Sequence, residues 1–381
     1  MKIRYKLNEF LYSGFICLVI LMNMLEATSL KNFDDTLLHN LLLLSALGFA
    51  LFYIIESKYT IKKLLRMLLL NGIGILCFIS SGNTGLFMTI LAICLLPPNF
   101  LDNILNIMLK EETIIFALIV ALSMVGVLKN GGIDVNKGTY VANARSLGFG
   151  HPNMLAAQGT SIVLLFLCVN RKKLKRRHIV GAIVCIFILY FFSRGRTSLL
   201  LSLFAVFMII CRKKQNFTKV LFKILPWMYI IVLISLTGFM FTYAYLGENA
   251  TIVKIINDSI FNGRIGLAYR SLLVYPVTLF GKKIDLSYWN EYQYYSLDNG
   301  QVMILLEYGV IGFLAYFVLI QKTLKTLCKE KEIILAITMI IFLIWSMYEG
   351  TMYFIGKNFA LLFIGTSDIL TSKINRKGVR K

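Results

Sequence analysis

Five arginines stand where a mostly apolar chain has least use for a charge. Arg145 opens Arg145-Ser146-Leu147-Gly148-Phe149-Gly150-His151-Pro152-Asn153. Arg194 and Arg196 share the short link Ser193-Arg194-Gly195-Arg196-Thr197, and Arg264 and Arg270 lie in 262–270, NGRIGLAYR. A guanidinium binds phosphate or carboxylate through two parallel hydrogen bonds, so the chemistry on offer is the gripping of an anionic head group. For Arg194 and Arg196 the competing reading is snorkelling to lipid phosphates. Arg264 and Arg270 are six residues apart, about 240° around a helix beyond a full turn, and do not share a face. The competing reading for them is a membrane-surface helix with basic edges. Acid–base candidates are His151, Asp298 in Leu297-Asp298-Asn299-Gly300-Gln301, and Glu307 about two turns further on. Asp298 could equally cap a helix. Glu307 could equally sit in a local Arg–Glu pair, although a carboxylate inside an apolar run is a functional candidate by default. Asn153 and Asn299 add amides beside these groups. Tyr288, Trp289 and Tyr292 sit in an aromatic, amide-rich stretch that suits sugar rings or an interfacial aromatic belt. With three histidines in the chain, a metal site is not expected.

The elements that carry these residues are apolar. Of 381 residues, 58% are hydrophobic and 15% charged, and the mean hydropathy is +0.74. Soluble domains average roughly 45–50% apolar and about 25% charged, so an ordinary soluble enzyme is excluded. The apolar runs are close to the roughly 20 residues that cross a bilayer. Candidate spans fall at 10–25, 37–55, 64–80, 84–96, 113–128, 154–170, 179–193, 197–211, 224–245, 299–320, 333–348 and 352–370. The expected fold is all-α: one polytopic integral membrane bundle over 1–381, with about 12 spans (range about 10–14). Two long loops interrupt it, a smaller one at 129–153 and a large one at 247–298. The N-terminus is basic and precedes an apolar run, but no small-residue cleavage site follows, so an uncleaved first span is expected.

The chain holds 40 Lys+Arg against 19 Asp+Glu, a net +21. A basic excess can signal nucleic acid. Here the blocks Arg171–Arg177, Arg212–Lys214 and the basic C-terminal tail all fall on one side of the alternating loops. The positive-inside rule then puts both termini in the cytoplasm and the two long loops outside, and nucleic acid is not an expected partner. The seven cysteines lie mostly in apolar runs without a C-x-x-C and read as core residues. P-loop and hydrolase-elbow motifs are absent.

Four pieces in this order, RSLGFGHPNMLA (145–156), SRGRTSLL (193–200), NGRIGLAYRSLLVYPVTLFGKK (262–283) and LDNGQVMILLEYGVIGF (297–313), resemble the O-antigen polymerase and ligase superfamily of the bacterial envelope. Within it the chain looks most like a Wzy-type polysaccharide repeat-unit polymerase. Arg264 matches the arginine of the glycine-arginine motif of the larger outer loop, Arg194 the serine-arginine pair, and Arg145 the smaller loop's arginine. Arg270, with Gly281 eleven residues on, competes with Arg264. The ligase branch is expected to show a histidine where Asp298 stands.

The resemblance implies a GT-C-like fold and a multi-pass glycosyltransferase of the bacterial cytoplasmic membrane with its active site on the outer face. The donor would be an undecaprenyl-pyrophosphate-linked oligosaccharide, extended into capsular, exo- or O-antigen polysaccharide without metal or cofactor. A chain-length regulator and a flippase are the implied partners. The alternatives are a lipid-linked oligosaccharide flippase or transporter and an O-antigen-type ligase.

Overall fold

The computed structural model describes residues 2–30, 36–136, 141–284, 297–350 and 352–366. They are overwhelmingly helical. In chain order the elements are α1 (Lys2–Glu26), α2 (Leu37–Glu56), α3 (Ile61–Ser81), α4 (Gly85–Leu95), α5 (Leu101–Met124), β1 (Gly132–Asn136), β2 (Val141–Arg145), α6 (Pro152–Val169), α7 (Arg176–Ser193), α8 (Arg196–Cys211), α9 (Gln215–Ile224), α10 (Met228–Leu246), α11 (Thr251–Lys254), α12 (Arg264–Val274), α13 (Gly300–Glu307), α14 (Gly309–Lys329) and α15 (Ile333–Trp345). Among the described residues seven helical stretches are long and apolar enough to cross a membrane, and α4, α8 and α15 are shorter apolar helices.

The chain forms two compact units. The first comprises 1–58 and 95–214, the second 59–94 and 215–381. In the first, α1 packs on α2 and α5, α5 on α6, and α6 on α7 and α8. Tyr12 of α1 meets Phe100 edge to face and Tyr53 at a tilt in its core. The segment following α1 is stitched to the loop before α6: Ser29 N donates to the Gly148 carbonyl, and Gly150 N to that of Ala27. Gly148 has φ +89, and a β-carbon there would lie 2.8 Å from the Ile119 carbonyl oxygen, so only glycine fits. The 129–153 stretch, expected as loop, contains the antiparallel hairpin of β1 and β2.

In the second unit α14 packs on α3, α13 and α15, while α10 packs on α12 and α15. Three expectations are corrected here and in the first unit. The fifth run begins at Leu101 rather than 113, because Lys110, Glu111 and Glu112 are sound helix formers that end a hydropathy window without ending a helix. The run 299–320 is not one helix: it breaks between α13 and α14, at Gly309 with φ +71. The run 352–370 does not continue as a long helix. Its described part passes through turns around Gly356-Lys357-Asn358 into a 3-10 helix, Phe359–Leu362, because glycine and asparagine favour turns over helix.

Candidate active site

The polar centre of the second unit is built where α12, the entry to α13 and the exit from α15 meet. Gly263 takes a left-handed conformation (φ +83) as the N-cap of α12, and Arg264 is the first helical residue. Its side chain, 13% exposed, turns inward. Arg264 Nε donates to the Tyr348 carbonyl at 2.7 Å, and Nη2 lies 3.4 Å from Asp298 Oδ2. Phe261 stacks on Tyr348 at 4.9 Å between ring centroids. The helix cap is Asn299 and not Asp298: Asn299 Oδ1 accepts from Gln301 N and Val302 N, both at 3.1 Å. Its Nδ2 donates to the Met347 carbonyl at 3.3 Å. Asn299 is therefore buried and spent on backbone, while Asp298 is left to face the guanidinium.

Sequence reasoning missed the third charged member, Glu349. Burial pushes its carboxyl up to about 7; Arg264 and Lys357 oppose the rise and Asp298 adds to it. The available signal was a carboxylate immediately after the apolar run that ends in α15.

The same two helices, α12 and α13, line one side of an apolar groove of about 440 Å³. Leu236, Met240 and Phe241 of α10 face Tyr269 and Leu272 of α12 and Val302 and Leu305 of α13 across it. This volume lies within the range of small-molecule sites, about 300–1,000 Å³. Arg270 takes no part in the Arg264 cluster. It is ion-paired with Glu248, which also accepts from Tyr243 Oη at 2.5 Å. Those two hydrogen bonds, from Tyr243 first and Arg270 second, hold the exposed Glu248 carboxyl below its ordinary range.

Glu307 closes α13. Its Oε2 accepts from Tyr353 Oη at 2.9 Å and Asn83 Nδ2 at 3.1 Å, so its partners are an amide and a phenol and not the arginine allowed for in the sequence. It stands at the helix break, where the irregular segment 278–282 supplies the missing hydrogen bonds. Lys282 N donates to the Leu306 carbonyl, and Val310 N and Ile311 N donate to those of Thr278 and Leu279.

The remaining candidates belong to the first unit. Arg145 ends β2 and is exposed. His151 caps α6, its Nδ1 accepting from Asn153 N at 3.0 Å. Asn153 thus contributes backbone to a cap, and Pro152 occupies the first helical position. Arg194 is the left-handed residue (φ +55) between α7 and α8, with its guanidinium carbon 5.3 Å from the Phe191 ring centroid. Arg196 starts α8 and is exposed. Tyr288, Trp289 and Tyr292 lie outside the described residues. Comparison with protein-family models, curated proteins and solved structures finds no match to this chain.

Proposed function

We propose that this chain is a membrane glycosyltransferase that polymerises polyprenyl-pyrophosphate-linked oligosaccharide repeat units at the outer face of the bacterial cytoplasmic membrane. The accompanying fold reading is a GT-C-like bundle of about 12 crossings. The observation that carries the proposal is the pairing of the Arg264–Asp298–Glu349 cluster with an apolar groove on the same two helices. A substrate with an anionic head and a hydrocarbon tail has both needs, and a soluble sugar nucleotide has no use for the groove. The resemblance in sequence order points the same way.

In this reading the groove holds polyprenyl methylenes, each worth about 0.8 kcal/mol when buried, and Arg264 meets the pyrophosphate. An acceptor hydroxyl attacks the anomeric carbon, and the lipid pyrophosphate leaves with the bonding electron pair. Arg264 stabilises the charge that gathers on it, with Asp298 holding the guanidinium in place. No metal or cofactor is required, because the pyrophosphate is already a good leaving group.

One observation favours a transporter instead. A discontinuous helix with an inserted segment, as at Glu307–Gly309, is the way many transporters build a site. The deciding experiment reconstitutes the purified chain in liposomes with lipid-linked repeat units accessible in one leaflet. Glycan lengthening without nucleotide, unaffected by EDTA, is expected. Lipid translocation with no lengthening would replace the polymerase with a flippase.

A further inference from the structure

Three carboxylates of the second unit already have work. Asp298 faces Arg264. Glu248 accepts from Tyr243 and Arg270. Glu307 accepts from Asn83 and Tyr353 at the far end of α13. Glu349 is the exception: half-buried, within the field of Arg264, Asp298 and Lys357, its carboxylate accepts no hydrogen bond among the described residues.

Its position is firmly set by backbone. Arg264 Nε holds the carbonyl of the preceding residue, Tyr348, at 2.7 Å. Gly300 N donates to the Ser346 carbonyl at 2.6 Å. A β-carbon on Gly350 would lie 2.7 Å from the Leu297 carbonyl oxygen, so the residue after Glu349 admits no side chain without a shift. The segments 297–300 and 346–350 are thereby locked against each other, and Glu349 follows directly on the residue whose carbonyl Arg264 holds. We infer that Glu349 is a catalytic residue of this site, the group that takes the proton of the attacking hydroxyl, and that Asp298 serves only to hold Arg264.

This inference rests on the glycosyl-transfer reading. The acceptor oxygen bonds to the anomeric carbon and gives its proton to Glu349. The bond from the anomeric carbon to the pyrophosphate oxygen breaks, and its electron pair departs with the lipid pyrophosphate. A base of this kind needs a proton affinity near the working pH. The charged groups facing Glu349 are Arg264 from α12, Asp298 before α13 and Lys357 from the chain that follows. One carboxylate paired with the arginine, Asp298, and one desolvated beside the same segment, Glu349, divide the tasks of counter-ion and base.

The test is the rate of glycan elongation as a function of pH for wild type, E349Q and E349D in liposomes holding a polyprenyl-pyrophosphate-linked repeat unit. Each protein is first matched for membrane abundance and a monodisperse size-exclusion profile. The wild-type rate should rise through about pH 7 as Glu349 loses its proton. E349Q should lose on the order of a hundredfold in kcat together with that rise, with KM for the lipid donor within about twofold of wild type. E349D should keep the rise at a reduced rate, and it carries the test alone if E349Q does not fold. An E349Q protein with wild-type kcat and the rise intact overturns the assignment, as does a higher KM at unchanged kcat. Elongation by wild type separates this failure from the larger one: if wild type does not elongate at all, the polymerase reading and this role fall together.

Discussion

At the residue scale, Arg264 differs from the other four candidate arginines, Arg145, Arg194, Arg196 and Arg270, in being inward-facing, 13% exposed and tied to a backbone carbonyl and a carboxylate. A guanidinium so held is pre-oriented for a second anion, which a lysine at the same place could meet only as a point charge. Arg264→Ala should cut elongation on the order of a hundred- to a thousandfold, matching the loss of roughly 3–4 kcal/mol of transition-state stabilisation. Arg264→Lys should retain part of it. Arg270→Ala should be mild, because its pair with Glu248 is exposed and such pairs contribute about 0–1 kcal/mol. Glycan chain length in a deletion strain complemented with each variant at equal membrane abundance reads all three. Full-length polymer from Arg264→Ala would remove it from the site, and loss of polymer in Arg270→Ala alone would transfer the role to Arg270.

At the element scale, the break between α13 and α14 sets where α13 ends. It is held open by two glycines. A β-carbon on Gly309 (φ +71) would lie 2.3 Å from Gly281 N, and one on Gly281 (φ +83) would lie 1.8 Å from the Glu307 carbonyl oxygen. Left-handed backbone alone costs a residue with a β-carbon about 1–2 kcal/mol, and here the collision is with backbone that cannot rotate away. Gly309→Ala and Gly281→Ala should each lower the thermal midpoint of the detergent-solubilised protein by several degrees at least. Gly238→Ala, mid-α10 with nothing within 4 Å of the added carbon, is the control and should be neutral or slightly stabilising. Equal midpoints for all three would mean that the break does not depend on close backbone contact.

At the scale of the whole molecule, the basic segment Arg171–Arg177 lies between α6 and α7, and Asp102 pairs with both Arg171 and Lys172. Burial would raise the Asp102 carboxyl, but the hydrogen bonds from Lys172 and Arg171 outweigh it and hold it below its ordinary range. By the positive-inside rule this segment is expected in the cytoplasm and the 247–298 loop outside. Alkaline phosphatase fused after Lys175 should be inactive and fused after Asn262 active. The opposite pattern would put the Arg264 cluster on the cytoplasmic side and remove the outer-face polymerase.

Sequence alone determined the class of the molecule, because membrane-length apolar runs such as those of α2, α3 and α7 leave a chain few other solutions, and helix formation satisfies their backbone within each segment. It also put Arg264 and Arg270 on different faces of a helix as competing candidates; that Arg264 turns inward to Tyr348 and Asp298 while Arg270 pairs with Glu248 is a result of the tertiary structure. Other features were beyond it because they are made by residues far apart in the chain. Glu349 becomes a site residue only when the exit of α15 lies against the entry of α13, more than forty residues earlier. Asn299 displaces Asp298 as the cap because its amide can also reach the Met347 carbonyl, a bond across segments that no local pattern encodes. The helix break is likewise invisible to hydropathy, since Tyr308 and Gly309 sit in an apolar run, and only the inserted backbone of 278–282 supplies the hydrogen bonds that let the helix stop there.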